Sequence, residues 1–265
     1  MSSFSPDRAV PSLELPLPNV VVVSGSSSGF GLLCTQKLVA SGAKVIGVDL
    51  APGHGSLASS ALYTHFQGDV ADEPVWTAVT GELSSADRSL GLLTCAAILS
   101  VGSVVDLDLA EWRRVFSANV DGTLLAYRYL VPEIVMRGGG PIVSVASVDA
   151  LHAEQQLVSY CASKAAVYQL ARTTALDFGR QGVRVNVLSP GPMRVGLFNR
   201  HLEAVKDPAL LTTREARQPN GRILDPAEVA DAALFLLSDG SSGMSGSELL
   251  VDGGLTAGYE FRIAH

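Results

Sequence analysis

The sequence predicts an α/β protein built on a doubly wound, mostly seven-stranded parallel sheet flanked by helices. Apolar, β-branched runs recur at 19–24, 43–49, 90–96, 141–147, 183–189 and 248–251, with a weaker one at 62–66. Helical patterns separate most of them, at about 30–40, 73–85, 107–136, 159–180 and 226–237. Strands that are apolar on both faces and alternate with helices belong to a parallel sheet covered on both sides. With 47% hydrophobic and 17% charged residues, the chain can bury a sizeable core.

Taken in order, residues 1–18 carry Pro6, Pro11, Pro16 and Pro18 and read as a loose N-terminal arm before a single domain at 19–265. The first strand runs into Ser24-Gly25-Ser26-Ser27-Ser28-Gly29-Phe30-Gly31 and then a helix. Small residues let backbone N–H groups approach a pyrophosphate, and a helix N-terminus favours its charge. No Gly-Lys-Ser/Thr follows, which excludes a nucleoside-triphosphate loop. The second strand ends at Asp49, where a carboxylate accepts ribose hydroxyls and repels a 2′-phosphate. Ser26 and Leu50 offer no cation to welcome that phosphate, so NAD is expected rather than NADP. The segment 192–225 lacks periodicity and reads as a lid.

Net charge and cysteines exclude several classes. A net charge of −7 without a basic tract argues against nucleic acid as a partner. Cys34, Cys95 and Cys161 form no CxxC, which argues against a disulfide framework or a metal site and fits the cytoplasm. No stretch reaches transmembrane length, so no membrane partner is expected.

Tyr160 and Lys164 stand four apart in a helical stretch, on one face. An ammonium about 4 Å from a phenol, at an effective dielectric of about 20, contributes about 4 kcal/mol, or about three pKa units. That predicts a tyrosine able to exchange protons near neutral pH.

Together with other motifs, these residues resemble the classical short-chain dehydrogenase/reductase family, whose Rossmann-type fold would span Asn19 to Gly254. Gly25, Gly29 and Gly31 match the family's glycine loop, and Gly68-Asp69-Val70 its adenine-binding segment. Asn119, Ser147, Tyr160 and Lys164 match its catalytic tetrad, with the usual 13 residues from serine to tyrosine. Pro190-Gly191 matches the turn beside the nicotinamide, and Val251-Asp252-Gly253-Gly254 the closing strand.

The resemblance implies that Tyr160 exchanges a proton with the substrate oxygen while Ser147 bonds that oxygen. Lys164 would lower the Tyr160 pKa and bond the nicotinamide ribose, and Asn119 would hold a water linking Lys164 to solvent. Cofactor contacts fall to Gly25, Ser28, Gly29, Phe30, Gly31, Asp49, Leu50, Asp69, Val70, Ala96, Pro190, Gly191, Met193 and Val195, with Tyr160 and Lys164. Asp149, His152, Met193 and Phe198 are the candidates to face substrate, and no metal is expected. The implied activity is NAD-dependent interconversion of a secondary alcohol and a ketone, acting on CH–OH donors that include cyclic alcohols and dihydrodiols. The alternatives are a dinucleotide-sensing regulator without turnover and an epimerase or dehydratase; a complete tetrad weighs against the regulator.

Three positions depart from the family pattern. Thr94-Cys95-Ala96-Ala97 replaces the usual Asn-Asn-Ala-Gly, so the asparagine's bonds are lost or pass to Thr94. Val195 replaces a threonine that commonly bonds the carboxamide, leaving backbone groups near 193–195 as candidates. Ser245 replaces threonine before Gly246. The resemblance implies a homodimer or homotetramer, here through 107–136, 159–180 and the last strand, with the tail Tyr259–His265 long enough to reach a neighbouring subunit.

Overall fold

The computed structural model describes residues 15–205, 207 and 209–258. Most of the expected N-terminal arm, and the tail 259–265, lie outside the described residues. The end of that arm is not loose, because the Pro16 carbonyl accepts from the Asp239 amide and Leu17 packs on the core.

Seven strands form one parallel sheet: β1 (Val20–Ser24), β2 (Lys44–Asp49), β3 (Tyr63–Gln67), β4 (Leu90–Thr94), β5 (Gly140–Val145), β6 (Val183–Pro190) and β7 (Glu248–Val251). Their order is β3-β2-β1-β4-β5-β6-β7, with Val20 opposite both Lys44 and Leu90. The order reverses between β1 and β4, so their carboxyl ends open a crevice that no crossover helix covers.

Each face of the sheet has its own core. On one side α2 (Glu73–Glu82), α4 (Gly122–Met136) and α5 (Val158–Phe178) bury Trp76, Leu130 and Ile134 against Val22 and Leu92. On the other, α1 (Gly29–Ala40) and α8 (Pro226–Leu237) bury Cys34, Leu38 and Leu236 against Val21 and Leu93. Strands buried on both faces explain the continuous apolar runs. Asp225 and Glu228 form a capping box that starts α8, with Pro226 in its first turn.

The single helix expected over 107–136 is three pieces. α3 (Leu109–Phe116) passes through a π-helical turn at Ser117–Asp121 into α4. A π turn leaves the chain helical and the apolar stripe nearly continuous, so periodicity does not register it. The segment 192–225 folds into two short helices, α6 (Leu197–Val205) and α7 (Leu210–Ala216), and its two ends are joined where Met193 bridges to Leu224. No helix among the described residues is long and apolar enough to cross a membrane.

Candidate active site

A cleft of about 1530 Å³ lies at the carboxyl ends of β1, β4, β5 and β6 and runs beneath the segment 192–225. Every residue expected to touch cofactor or substrate lines it; of the tetrad, only Asn119 does not.

One end is the glycine loop. Gly25 has φ +73°, and a Cβ there would stand 2.8 Å from the Ala96 nitrogen. A Cβ on Gly31 would fall 2.0 Å from the Gly25 carbonyl oxygen. The turn therefore tolerates no side chain at either place, and its backbone stays bare toward the cleft. At Gly29 (φ +55°) a Cβ would come within 3.3 Å of the Gly196 Cα, so the segment 192–225 crosses close over this loop. Asp49 shapes the rim: one carboxylate oxygen accepts from the Ser27 amide at 2.9 Å, the other from Ala51 at 2.9 Å. Asp69 and Val70 close the far wall, where the Val70 carbonyl accepts from the Trp76 indole at 2.8 Å. A bare glycine turn at a helix N-terminus beside an acidic strand end fits a nicotinamide dinucleotide.

The replacement after β4 is accommodated by hydroxyls. Thr94 Oγ1 donates to Ser144 Oγ at 3.0 Å, and Tyr127 shares a 2.6 Å bond with the same oxygen. Ser24 Oγ accepts from the Cys95 and Ala96 amides. Threonine thus takes over the strand-to-strand role that asparagine would have.

Ser147, Tyr160 and Lys164 meet on the opposite wall of the cleft, Ser147 at the end of β5 and the other two on α5. Lys164 Nζ donates to the Val145 carbonyl at 2.7 Å and stands 5.7 Å from the Tyr160 ring centroid. Burial pushes the lysine down to about 8, against the Cys95 and Asp149 charges. Burial also pushes the Tyr160 phenol well up; the Asp149 charge adds to this, and the neighbouring Ser147 hydroxyl offsets part. In this structure the ammonium is directed at the Val145 carbonyl instead of at the phenol oxygen, and burial outweighs it at Tyr160. Asn119 sits one layer behind, in the π turn. Its Oδ1 accepts from the Ile98 amide at 2.8 Å, and its Nδ2 donates to the Ile98 carbonyl and to Ser163 Oγ, both at 2.9 Å. Its side chain therefore pins the chain after β4 to α5 and does not touch Lys164.

Asp149 follows Ser147 closely. Ser147 Oγ donates to Asp149 Oδ2 at 3.0 Å and accepts from the Asp149 amide at 3.1 Å. Burial, and then the Glu154 charge, push this carboxyl up to about 6, with Ser147, Arg214 and Lys164 opposing. His152 is exposed at the mouth, and Phe198 enters the cleft from α6. The Arg194 amide goes to the Leu224 carbonyl and the Val195 amide to the Met193 carbonyl. That leaves Met193 with the one backbone N–H of the three that has no backbone partner among the described residues.

A cluster that sequence reasoning missed completes this end. Arg214 donates to both oxygens of Glu154, one bond at 3.0 Å, and His201 Nε2 lies 3.4 Å from the same carboxylate. Glu154 is on the body and the other two are on the segment above it. Buried Gln218 joins them at the cleft.

The family description matching residues 25–256 is enoyl-(acyl carrier protein) reductase. A 2-(S)-hydroxypropyl-CoM dehydrogenase of Xanthobacter autotrophicus is 35% identical over 246 residues, covering 90% of this chain and 96% of that protein. The chain belongs to the short-chain dehydrogenase/reductase family.

A 3-alpha-(or 20-beta)-hydroxysteroid dehydrogenase of Mycobacterium bovis is 34% identical, covering 90% of each chain. Among solved structures, a gluconate 5-dehydrogenase from Burkholderia cenocepacia, in complex with NADP and tartrate, superposes with a TM-score of 0.83 at 28% identity. That match covers 91% of this chain and 96% of the other. As a short-chain dehydrogenase/reductase, the protein is an oxidoreductase acting on CH–OH groups with a nicotinamide dinucleotide.

Proposed function

We propose that this chain is an NAD-dependent dehydrogenase interconverting a secondary alcohol and a ketone. The carrying observation is that Ser147, Tyr160 and Lys164 share one cleft with the glycine loop and Asp49. The nicotinamide, when bound, supplies the hydride acceptor. As the phenol, Tyr160 gives its proton to a carbonyl oxygen, and as the phenolate it takes the proton of a substrate hydroxyl, while Ser147 holds that oxygen. Lys164 faces the cofactor ribose. Gly25, Ser28, Gly29, Phe30 and Gly31 seat the pyrophosphate, Asp69 and Val70 the adenine, and the Met193 amide is free to hold the carboxamide. Asp49 favours NAD by charge, with its carboxylate already fixed by Ser27 and Ala51. The segment 192–225 acts as lid over a site in one domain.

NADH absorbance followed over a panel of secondary alcohols, for the wild-type protein and Tyr160→Phe, tests the reading. Loss of at least about a hundredfold in kcat supports it; equal turnover in the variant overturns the mechanism. The exposed Leu109, Leu124 and Leu176 on α3, α4 and α5 support a dimer or tetramer built on these helices. Light scattering that gives a monomer mass would contradict that assembly.

A further inference from the structure

The end of the cleft beyond Tyr160 presents acceptors. Asp149 grips the Ser147 hydroxyl through Oδ2, makes no hydrogen bond through Oδ1 among the described residues, and lines the cleft. Although its carboxyl titrates at about 6, it is largely ionised at neutral pH and can only accept. The Glu154 carboxylate takes both Arg214 donors. His201 is 6% exposed and turns Nε2 toward Glu154, which makes Nε2 the donor and Nδ1 an acceptor in the neutral ring. Burial lowers the His201 pKa, which keeps the ring in that neutral form. Neither His201 Nδ1 nor Gln218 Oε1, both buried on cleft-lining residues, has a partner among the described residues. Buried acceptors without donors favour a ligand that brings O–H groups.

We propose that Asp149 recognises a second hydroxyl next to the carbinol that reacts, so the substrate is a 1,2-diol or polyol and the product an α-hydroxy ketone. The inference rests on the dehydrogenase reading above for which carbon reacts. Its geometry comes from Ser147 and Asp149: Oγ and Oδ2 are 3.0 Å apart. The neighbouring oxygens of a gauche 1,2-diol stand at about the same separation. The reacting oxygen draws the Ser147 hydroxyl away from Asp149 Oδ2 and meets Tyr160, and the adjacent O–H donates to the Oδ2 so released. In oxidation one C–H leaves as hydride to the oxidised nicotinamide and the O–H proton passes to the Tyr160 phenolate, which becomes the phenol. The second hydroxyl is unchanged. An anionic substituent at this place would face Asp149 and Glu154 with Arg214 already committed, which disfavours carboxylates and phosphates. His201 and Gln218 offer the same acceptor chemistry to hydroxyls further along a polyol.

The test compares 1,2-cyclohexanediol and 2,3-butanediol with their monomethyl ethers and with the corresponding mono-alcohols, at pH 7.5 with NAD. An ether oxygen can accept but not donate. The diols are expected to exceed ethers and mono-alcohols in kcat/KM by at least about tenfold, because a site built to bond a hydroxyl rejects analogues lacking it. In Asp149→Asn the diol-to-ether ratio should fall at least about tenfold, since the amide can donate to an ether; a merely structural role for Asp149 would not move that ratio. Equal kcat/KM for diol, ether and mono-alcohol in the wild-type protein overturns the proposal and leaves the dehydrogenase reading intact. If no compound turns over, calorimetry on Tyr160→Phe with NAD separates the two ideas. Diol binding tighter than ether binding upholds the hydroxyl subsite and overturns the dehydrogenase reading, whereas no preference overturns the subsite.

Discussion

Lys164 stands 5.7 Å from the centre of the Tyr160 ring and bonds the Val145 carbonyl, with the side chains of both residues withdrawn from water. Proximity in the helix brings the two together, and burial decides their charge. The phenol holds its proton more firmly than a free tyrosine and the ammonium holds its own less firmly. A buried cation kept for chemistry costs stability.

Lys164→Met should therefore make the fold more stable at pH 7, by on the order of 1–3 kcal/mol, while abolishing turnover. The lysine's pKa falls from 10.5 to about 8 on folding, so the cost is full below about 8 and gone above 10.5. Thermal unfolding of both proteins at pH 7 and pH 10 checks this. A stability difference that does not shrink at the higher pH would refute the charge argument.

Asp149 carries a similar cost with the opposite charge. Its carboxyl rises from 3.8 to about 6, so the penalty is absent below 3.8 and complete above about 6. Asp149→Asn should unfold at higher temperature than wild type at pH 7.5, with a gain on the order of 1–2 kcal/mol that vanishes near pH 4. A variant equally stabilised at both pH values would show that the gain has another source.

Thr94→Val should lose about 1–2 kcal/mol of stability, because it removes the donor to Ser144 between β4 and β5. Tyr127 remains on Ser144, so the loss stays partial. Urea unfolding gives the number, and a neutral substitution would mean that threonine does not replace the missing asparagine.

Asp49→Ala should shift cofactor choice. Removing the charge ends repulsion of a 2′-phosphate and frees the Ser27 and Ala51 amides. The ratio of kcat/KM for NADP over NAD is expected to rise at least about tenfold. An unchanged ratio would place cofactor discrimination elsewhere on the rim.

The sequence made the glycine loop, Asp49 and the spacing of Ser147, Tyr160 and Lys164 legible because each depends on short stretches of chain joined to one strand or helix. The β-branched runs located all seven strands for the same reason. The Glu154–Arg214–His201 cluster was not legible: its members come from different elements, and two lie in a segment without periodicity. Nor was the state of Tyr160. Spacing places an ammonium near a phenol but carries no information on desolvation or on the carbonyl that accepts the lysine's hydrogen bond. The π turn stayed hidden because it leaves the apolar stripe nearly continuous, and the bonds of its Asn119 to Ile98 and Ser163 are contacts that no local pattern encodes.

Gly29 and Gly196 face each other across a seam of bare backbone. Both hold a positive φ that strains any side chain, and a Cβ on Gly29 would press within 3.3 Å of Gly196, so that line of contact resists substitution. The residues flanking it are under no such restriction. Over generations the roof can be rewritten for new substrates while the dinucleotide floor stays as it is, and a change of diet need not become a change of currency.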